Sequence, residues 1–188
     1  RDPLHNALPD GFVIDDDSHT VTVSTAAALE HLTAWSKIWS RTSGAEPYAL
    51  VMGADIDMEN TVLDAPIDLT AFKSFSGNYY TVKNVGVNTI SAEEEVGLFK
   101  NLPATQKLSV SNVTVTAPNA ANVGILSGKA SPAATLSDIT VSGSSAVGKE
   151  NVGVIFNACN SRFRHFENAY FLHRLEDRRH RRRIFGSG

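Results

Sequence analysis

Residues 112–126, NVTVTAPNAANVGIL, contain two short motifs that recur along the chain. Copies of the first motif, offset by 28 and 26 residues, lie at 84–87, 112–115 and 138–141. Copies of the second motif, offset by 27 and 29 residues, lie at 96–99, 123–126 and 152–155. Repeats of this length are typical of solenoids, whereas a propeller blade needs roughly 40 residues. The repeats therefore favour a solenoid.

Each copy of the first motif alternates apolar and polar residues, as a strand with one buried face does. We expect the following side chains to face inward: Val113, Val115, Ile125, Ile139 and Val141. The Asn or Asp that begins each copy can satisfy backbone groups of a turn. The Gly of each Val-Gly step is predicted to turn a corner in the left-handed region. Because stacked repeats share one core, we predict an all-β fold, a right-handed parallel β-helix (solenoid) from about 48 to 156.

A helix is predicted ahead of the repeats, after a strand at Val21 and Val23. Ala28, Leu32, Trp35 and Trp39 form one amphipathic stripe, which we interpret as a packing face. Ser24 or Thr25 is the candidate N-cap, and Gly44 the stop. This N-terminal capping α-helix, 25–41, would cover the open end of the solenoid. We divide the chain into a leading linker, 1–19, a β-helix domain, 20–158, and a basic tail, 159–188.

The order of these segments resembles the GLUG-motif family of repeat proteins. The resemblance covers roughly 20–156 and is carried by Val21–Trp39, Asp55-Ile56-Asp57-Met58, Phe75-Ser76-Gly77-Asn78 and the three Val-Gly steps. Proteins of this family occur on bacterial cell surfaces, and right-handed β-helices are usual among them. The resemblance implies a secreted or surface-exposed adhesive protein without catalytic residues. No signal peptide precedes Arg1, and we expect the chain to be a trimmed form.

The tail differs in composition from the rest of the chain. Residues 162–183 carry eight Arg and three acidic residues, whereas the remainder holds nine basic and 17 acidic residues. Three interpretations stay open. The run at 178–183 could contact nucleic acid or anionic lipid through phosphates, although no adjacent fold presents it. The tail could be a frameshifted, non-native C-terminus, or a native cap whose apolar residues cover the open end of the solenoid: Phe163, Phe166, Tyr170, Phe171 and Leu175.

No catalytic, cofactor-binding or metal-binding residues are predicted. Asp55, Asp57, Asp64 and Asp68 could serve a lyase or glycoside hydrolase, but no Arg or His occurs between 42 and 158 to complete such a site. We therefore interpret these acids as turn and edge caps.

Other candidate ligands are also isolated. Asp15–Asp17 lacks the spacing of a calcium loop, and His5, His19 and His31 are far apart in sequence. The lone Cys159, predicted to be buried, excludes an internal disulfide.

The sequence thus predicts a non-catalytic extracellular adhesion module that binds a glycan or a protein along one face. The alternative is a fragment of a polysaccharide-acting enzyme. We expect no nucleic-acid partner. We also expect no membrane insertion, because no apolar run approaches the roughly 18 residues needed to span a bilayer. The sequence leaves the ligand and the oligomeric state open.

Overall fold

The computed structural model describes residues 2–129, 134–155, 161–167, 169–173 and 182–184, with side chains in 2–129 and 134–154. The chain begins with a 3-10 helix, Pro3–His5, and two strands, β1 (Phe12–Asp15) and β2 (Thr20–Val23), followed by helix α1 (Ala26–Ser40). The remaining strands are β3 (Tyr48–Met52), β4 (Ile56–Leu63), β5 (Ile67–Asp68), β6 (Phe72–Ser76), β7 (Thr81–Asn88), β8 (Glu95–Val96), β9 (Phe99–Lys100), β10 (Ala104–Thr116), β11 (Asn122–Ser127), β12 (Leu136–Ser142), β13 (Ser145–Gly148), β14 (Asn151–Ile155), β15 (Ser161–Glu167), β16 (Ala169–His173) and β17 (Arg182–Ile184).

The structure contradicts the predicted all-β right-handed parallel β-helix. The described chain has a mixed α/β fold, in which α1 accompanies a main sheet of 12 strands and two smaller sheets, β8-β11-β14 and β5-β9. The main sheet mixes both kinds of pairing, because β1 pairs with β2, and β16 with β17, in antiparallel orientation. Repeat periodicity predicts which strands are parallel neighbours. Periodicity carries no information on how the sheets close. It also does not describe the segments outside the repeats, and those segments supply the antiparallel strands.

The repeats do pair in parallel, but one of them is shifted from the predicted register. Val85 lies opposite Val113, and Val123 lies between Val96 and Val152, as the motifs predict. Ile139, however, pairs with Leu108 and not with Val113. The physical reason is that β10 is 13 residues long and carries two apolar pairs. Either pair satisfies the inward alternation of β12, so the motif alone could not fix the register.

The five side chains predicted to face inward are all buried, at 0% exposure. The expectation for the glycines is wrong, because Gly97 and Gly124 are not among the residues with positive φ. Their lack of a side chain matters for another reason: a Cβ on either one would overlap the backbone of Ser127. The left-handed positions are instead held by the Asn or Asp of the first motif, with φ of 59° at Asn84, 51° at Asn112 and 53° at Asp138.

The predicted leading linker is part of the folded core. Leu4 and Phe12 are 4% and 5% exposed, and β1 pairs with β2. The Trp35 indole N–H donates to the backbone oxygen of Leu4 at 2.9 Å. The Pro and Gly residues that suggested a linker lie in turns between the buried residues Leu4 and Phe12 and the strands. Burying two large apolar side chains stabilises the segment by several kcal/mol, at about 25 cal/mol per Å².

Helix α1 closely matches its prediction. The Thr25 hydroxyl accepts from the backbone N–H of Ala28 at 3.1 Å, which confirms it as the N-cap. Trp35 is fully buried, and its ring centroid lies 5.1–5.7 Å from those of Phe12, Tyr48 and Phe72. The apolar stripe is therefore a packing face, as expected.

The predictions for the tail fall largely outside the described residues. Backbone pairing continues there, with β15 parallel to β12 and β16 parallel to β13. Cys159 and the run at 178–181 lie outside the described residues, and so do the side chains of the five residues offered as a cap. The choice among the three interpretations of the tail stays a prediction.

Candidate functional site

A groove crosses the outer face of four parallel strands, and we call it the outer groove. Its floor is made by β3, β6, β10 and the segment 135–137, whose outward side chains stand in two rows. The rows are Ala49, Ser74, Ala104 and Thr135, and Val51, Ser76, Gln106 and Ser137. The side chains between them, such as Leu50, Phe75 and Leu136, are buried. Because most floor side chains are small, they leave a depression of about 270 Å³.

A larger cavity of about 490 Å³ continues the outer groove beyond Ala104, which lines both. Its charged and amide side chains are Lys73, Glu95, Asn101 and Lys129. Lys129 Nζ lies 3.2 Å from Oε1 of Glu95. The Asn101 amide donates to the Asp68 carboxylate at 3.0 Å. This end of the groove is therefore polar, with two ammonium groups and one carboxylate.

Lys73 reaches the rim through an irregularity in strand pairing. Tyr48 pairs with Phe72, but the next residue of β3, Ala49, pairs with Ser74. Lys73 is thus the extra residue of a β-bulge, which re-aims a side chain away from the regular alternation. Lys73 is exposed, and no ion pair holds it among the described residues.

A tight turn presents two tyrosines directly after the floor strand β6. The backbone N–H of Tyr80 donates to the oxygen of Gly77 at 2.8 Å, and Asn78 and Tyr79 have φ of 50° and 64°. These features define a type I′ turn, in which Asn-Gly is strongly preferred at the two central positions. A tyrosine in the left-handed region costs roughly 1–2 kcal/mol. The turn therefore holds Tyr79 exposed, at 61%, in a conformation that glycine would adopt without strain.

The tyrosine turn is tied to the strand beside it. The backbone N–H of Tyr79 donates to the oxygen of Lys107 at 2.8 Å, and Lys107 directly follows Gln106 of the groove floor. Lys107 Nζ lies 5.5 Å from the centroid of the Tyr79 ring, within the range of a cation–π contact. An aromatic surface and a third ammonium group thus stand at the other end of the floor.

Three of the four acidic residues considered for catalysis accept hydrogen bonds from backbone N–H groups. Asp55 accepts from the N–H of Thr81 at 2.8 Å, and Asp68 from that of Thr70 at 2.9 Å. Asp57 accepts from the N–H of Glu59 at 2.9 Å. The interpretation as turn and edge caps is confirmed for these three, while Asp64 is exposed and its role stays a prediction. None of these four acids lines the outer groove.

Asp57 also begins a ladder of amide side chains. Its carboxylate accepts from the Asn84 amide at 3.0 Å, and Asn84 in turn accepts from the Asn112 amide at 2.8 Å. The hydrogen bond from Glu59, and then that from Asn84, lower the pKa of Asp57 because both favour the charged carboxylate. The left-handed Asn residues are thereby fixed at the same edge of the sheet.

This lowered pKa predicts a defined pH dependence. A carboxylate with a lowered pKa stabilises the fold above its unfolded pKa of about 3.9, and this contribution is lost as the pH falls through the folded value. We therefore expect Asp57→Asn to lower the melting temperature more at pH 7 than at pH 3. Thermal melts followed by circular dichroism across this range measure the difference. A difference from the wild type that does not change with pH would contradict the assignment, and Glu30→Gln on the exposed face of α1 is the control.

His5, His19 and His31 do not come together, and of these three His5 contacts the Asp15–Asp17 run. His5 contacts Asp2 and Asp16, His19 stacks on Tyr48 with centroids 3.6 Å apart, and His31 lies edge-on to Phe12. The Asp15 carboxylate accepts from backbone N–H groups of its own turn. Among the described residues, no group of three or more His, Cys, Asp or Glu could hold a metal ion.

The outer groove was missed in the sequence, although one signal for it was present. Tyr79 occupies the position that glycine favours in an Asn-containing tight turn, and this departure from the usual turn residue is visible in the sequence. The floor residues gave no such signal, because Ser, Ala and Thr on a strand are ordinary. Only the register of four strands brings them together.

Within the part of the chain that the structure describes, no helix is long and apolar enough to cross a membrane. Comparison of the chain with protein-family models, with curated protein sequences and with solved structures gives no match. The outer groove is therefore interpreted from its own geometry and chemistry.

Proposed function

We propose that this chain is a non-catalytic module that binds a linear glycan in the outer groove, and that it acts outside the cell at a surface. The observation that carries the proposal is Tyr79, held exposed in a strained left-handed conformation at the end of a polar groove. Strained residues persist where the surrounding structure over-determines them, and they cluster at functional sites. An exposed aromatic ring offers an apolar face to the C–H groups of a sugar ring.

The groove floor supplies the polar half of such a site. Serine and threonine hydroxyls and the Gln106 amide can each donate and accept hydrogen bonds, as sugar hydroxyls can. Neighbouring strands lie about 4.8 Å apart. One row of floor side chains therefore has a spacing close to the length of one pyranose unit. This row runs across the strands through Val51, Ser76, Gln106 and Ser137. This favours a linear glycan that runs across the strands.

The proposal is for binding without cleavage. Hydrolysis of a glycosidic bond needs two carboxyl groups that flank it. The described lining of the groove carries one carboxylate, Glu95, and this group is paired with Lys129. The surface location rests on the resemblance to the GLUG-motif family, which stays a prediction.

The tyrosine turn gives a test in which stability and binding move in opposite directions. In Tyr79→Gly we expect the free energy of unfolding to rise by up to about 1 kcal/mol, because the left-handed strain is relieved. Affinity should fall at least about tenfold, because removing an aromatic anchor typically costs about 2 kcal/mol or more. Isothermal titration with a panel of neutral and uronate-containing linear oligosaccharides measures the affinity.

Glu59→Gly is the matched control for this test. Glu59 is also exposed and left-handed, with φ of 52°, but it lies on β4, which pairs with β7, whereas Tyr79 follows the floor strand β6 and is bonded to Lys107 of β10. The control should relieve the same kind of strain and leave glycan affinity unchanged. Absence of binding to every oligosaccharide in the panel would refute the proposed function, and so would full affinity in Tyr79→Gly.

A further inference from the structure

The charges along the outer groove differ in sign from the charges of the surrounding protein. Outside residues 162–183 the chain has nine basic and 17 acidic residues, a balance of −8. The lining of the larger cavity has Lys73 and Lys129 against the single carboxylate of Glu95, a balance of +1, and Lys107 stands beside the tyrosine turn at the other end of the floor. Clefts lined by one sign of charge concentrate ligands of the opposite sign.

The three ammonium groups differ in the contacts that they already make within the protein. Lys129 is paired with Glu95 at 3.2 Å, and Lys107 lies over the Tyr79 ring. Lys73 has no ion pair among the described residues, although the β-bulge places it on the cavity wall. An uncommitted ammonium group in a cavity of about 490 Å³ can bind an anionic group with room for the ring that carries it. Lys107 can do the same for a ring stacked on Tyr79.

We infer that the outer groove selects an acidic glycan and binds carboxylates of its uronate units at Lys73 and at Lys107. This inference rests on the proposed glycan-binding function and adds the class of sugar. A carboxylate accepts a charge-assisted hydrogen bond from an ammonium group, which is roughly twice as strong as a neutral one. A neutral sugar of the same shape gains no such bond at these positions. Sulfate esters could use the same ammonium groups, so the test separates the two anions.

The test compares three linear oligosaccharides, one with carboxylates, one neutral and one with sulfates, by isothermal titration with the full chain. The ligands are an oligogalacturonate, its fully methyl-esterified form, and a sulfated neutral oligosaccharide of equal length. We expect the acid form to bind at least about tenfold more tightly than the ester, a factor that corresponds to about 1.4 kcal/mol. Raising the salt concentration should weaken binding of the acid form and leave binding of the ester unchanged.

Substitutions then locate the selectivity. Lys73→Gln should weaken binding of the acid form about tenfold and leave binding of the ester unchanged, whereas Lys37→Gln on α1 should change neither. Equal affinity for acid and ester, or preference for the sulfated ligand, would overturn the inference and leave the proposed function standing. Failure of these three ligands and of every neutral glycan to bind would overturn both.

Discussion

A methyl group added at Gly124 will lower the free energy of unfolding by about 3 kcal/mol or more. Gly124 lies on β11, which pairs with β8 on one side and β14 on the other. A Cβ at this position would overlap the backbone oxygen of Ser127 and lie 2.8 Å from that of Val154. The first obstacle is backbone of β11 itself, beyond the irregularity between Gly124 and Ser127, and the second is backbone of the paired strand β14, so neither can turn aside as a side chain does. Overpacking of this kind typically costs 1–3 kcal/mol, and rigid surroundings push the cost upward.

Gly86→Ala is the matched control for Gly124→Ala. Gly86 lies within β7, between β4 and β10, and a Cβ there would make ordinary contacts of 3.5 Å with Thr114 and Val62. The free energy of unfolding of Gly86→Ala should differ from that of the wild type by less than about 1 kcal/mol. Urea unfolding followed by tryptophan fluorescence measures both variants. If Gly124→Ala unfolds at the same urea concentration as Gly86→Ala, then β11 and Ser127 are not packed as described.

The parts of the fold that could be predicted depend on local periodicity. Alternation in Asn112–Val115 predicts which side chains face inward, because successive side chains of a strand point to opposite faces. The spacing of Ala28, Leu32 and Trp35 predicts α1 for the same kind of reason. Recurrence of Val-Gly steps also predicts the parallel pairing of β8, β11 and β14. Each of these inferences uses residues that are close in sequence or that repeat.

The overall architecture could not be predicted in this way. A repeat shows that strands are equivalent, but it does not show how their sheets close, and the predicted solenoid was wrong for that reason. The two apolar pairs of β10 made the register of β12 ambiguous. Leu4 and Phe12 are single apolar residues among turn formers, and their burial depends on the aromatic cluster around Trp35, which forms only in the tertiary structure.

The outer groove was unpredictable for a related reason. Its floor depends on the register of four strands, and Lys73 reaches it through a β-bulge that no local pattern marks. Tyr79 is the exception, because an Asn-Tyr pair at the centre of a type I′ turn conflicts with a known local preference. Such conflicts between local propensity and structure are where functional residues are expected.

Blocking the groove tests the central claim, which is that the outer groove binds the glycan. Ala104 lines both cavities and faces outward from β10. Its neighbours across the strands are Ser74 and Thr135. In Ala104→Trp an indole ring would occupy the floor where the two cavities meet. Because the side chain faces outward, the core is unchanged and the protein should remain folded.

The most direct measurement is isothermal titration of Ala104→Trp with the oligosaccharide that the wild type binds best. Thr114→Trp serves as the control, since Thr114 is an exposed residue of the same strand that lies outside the groove. We predict that Ala104→Trp keeps the wild-type circular dichroism spectrum and loses affinity by about 100-fold or more, equivalent to about 2.7 kcal/mol. Thr114→Trp should bind like the wild type. A folded Ala104→Trp variant that binds the glycan with unchanged affinity would contradict the assignment of the outer groove as the binding site.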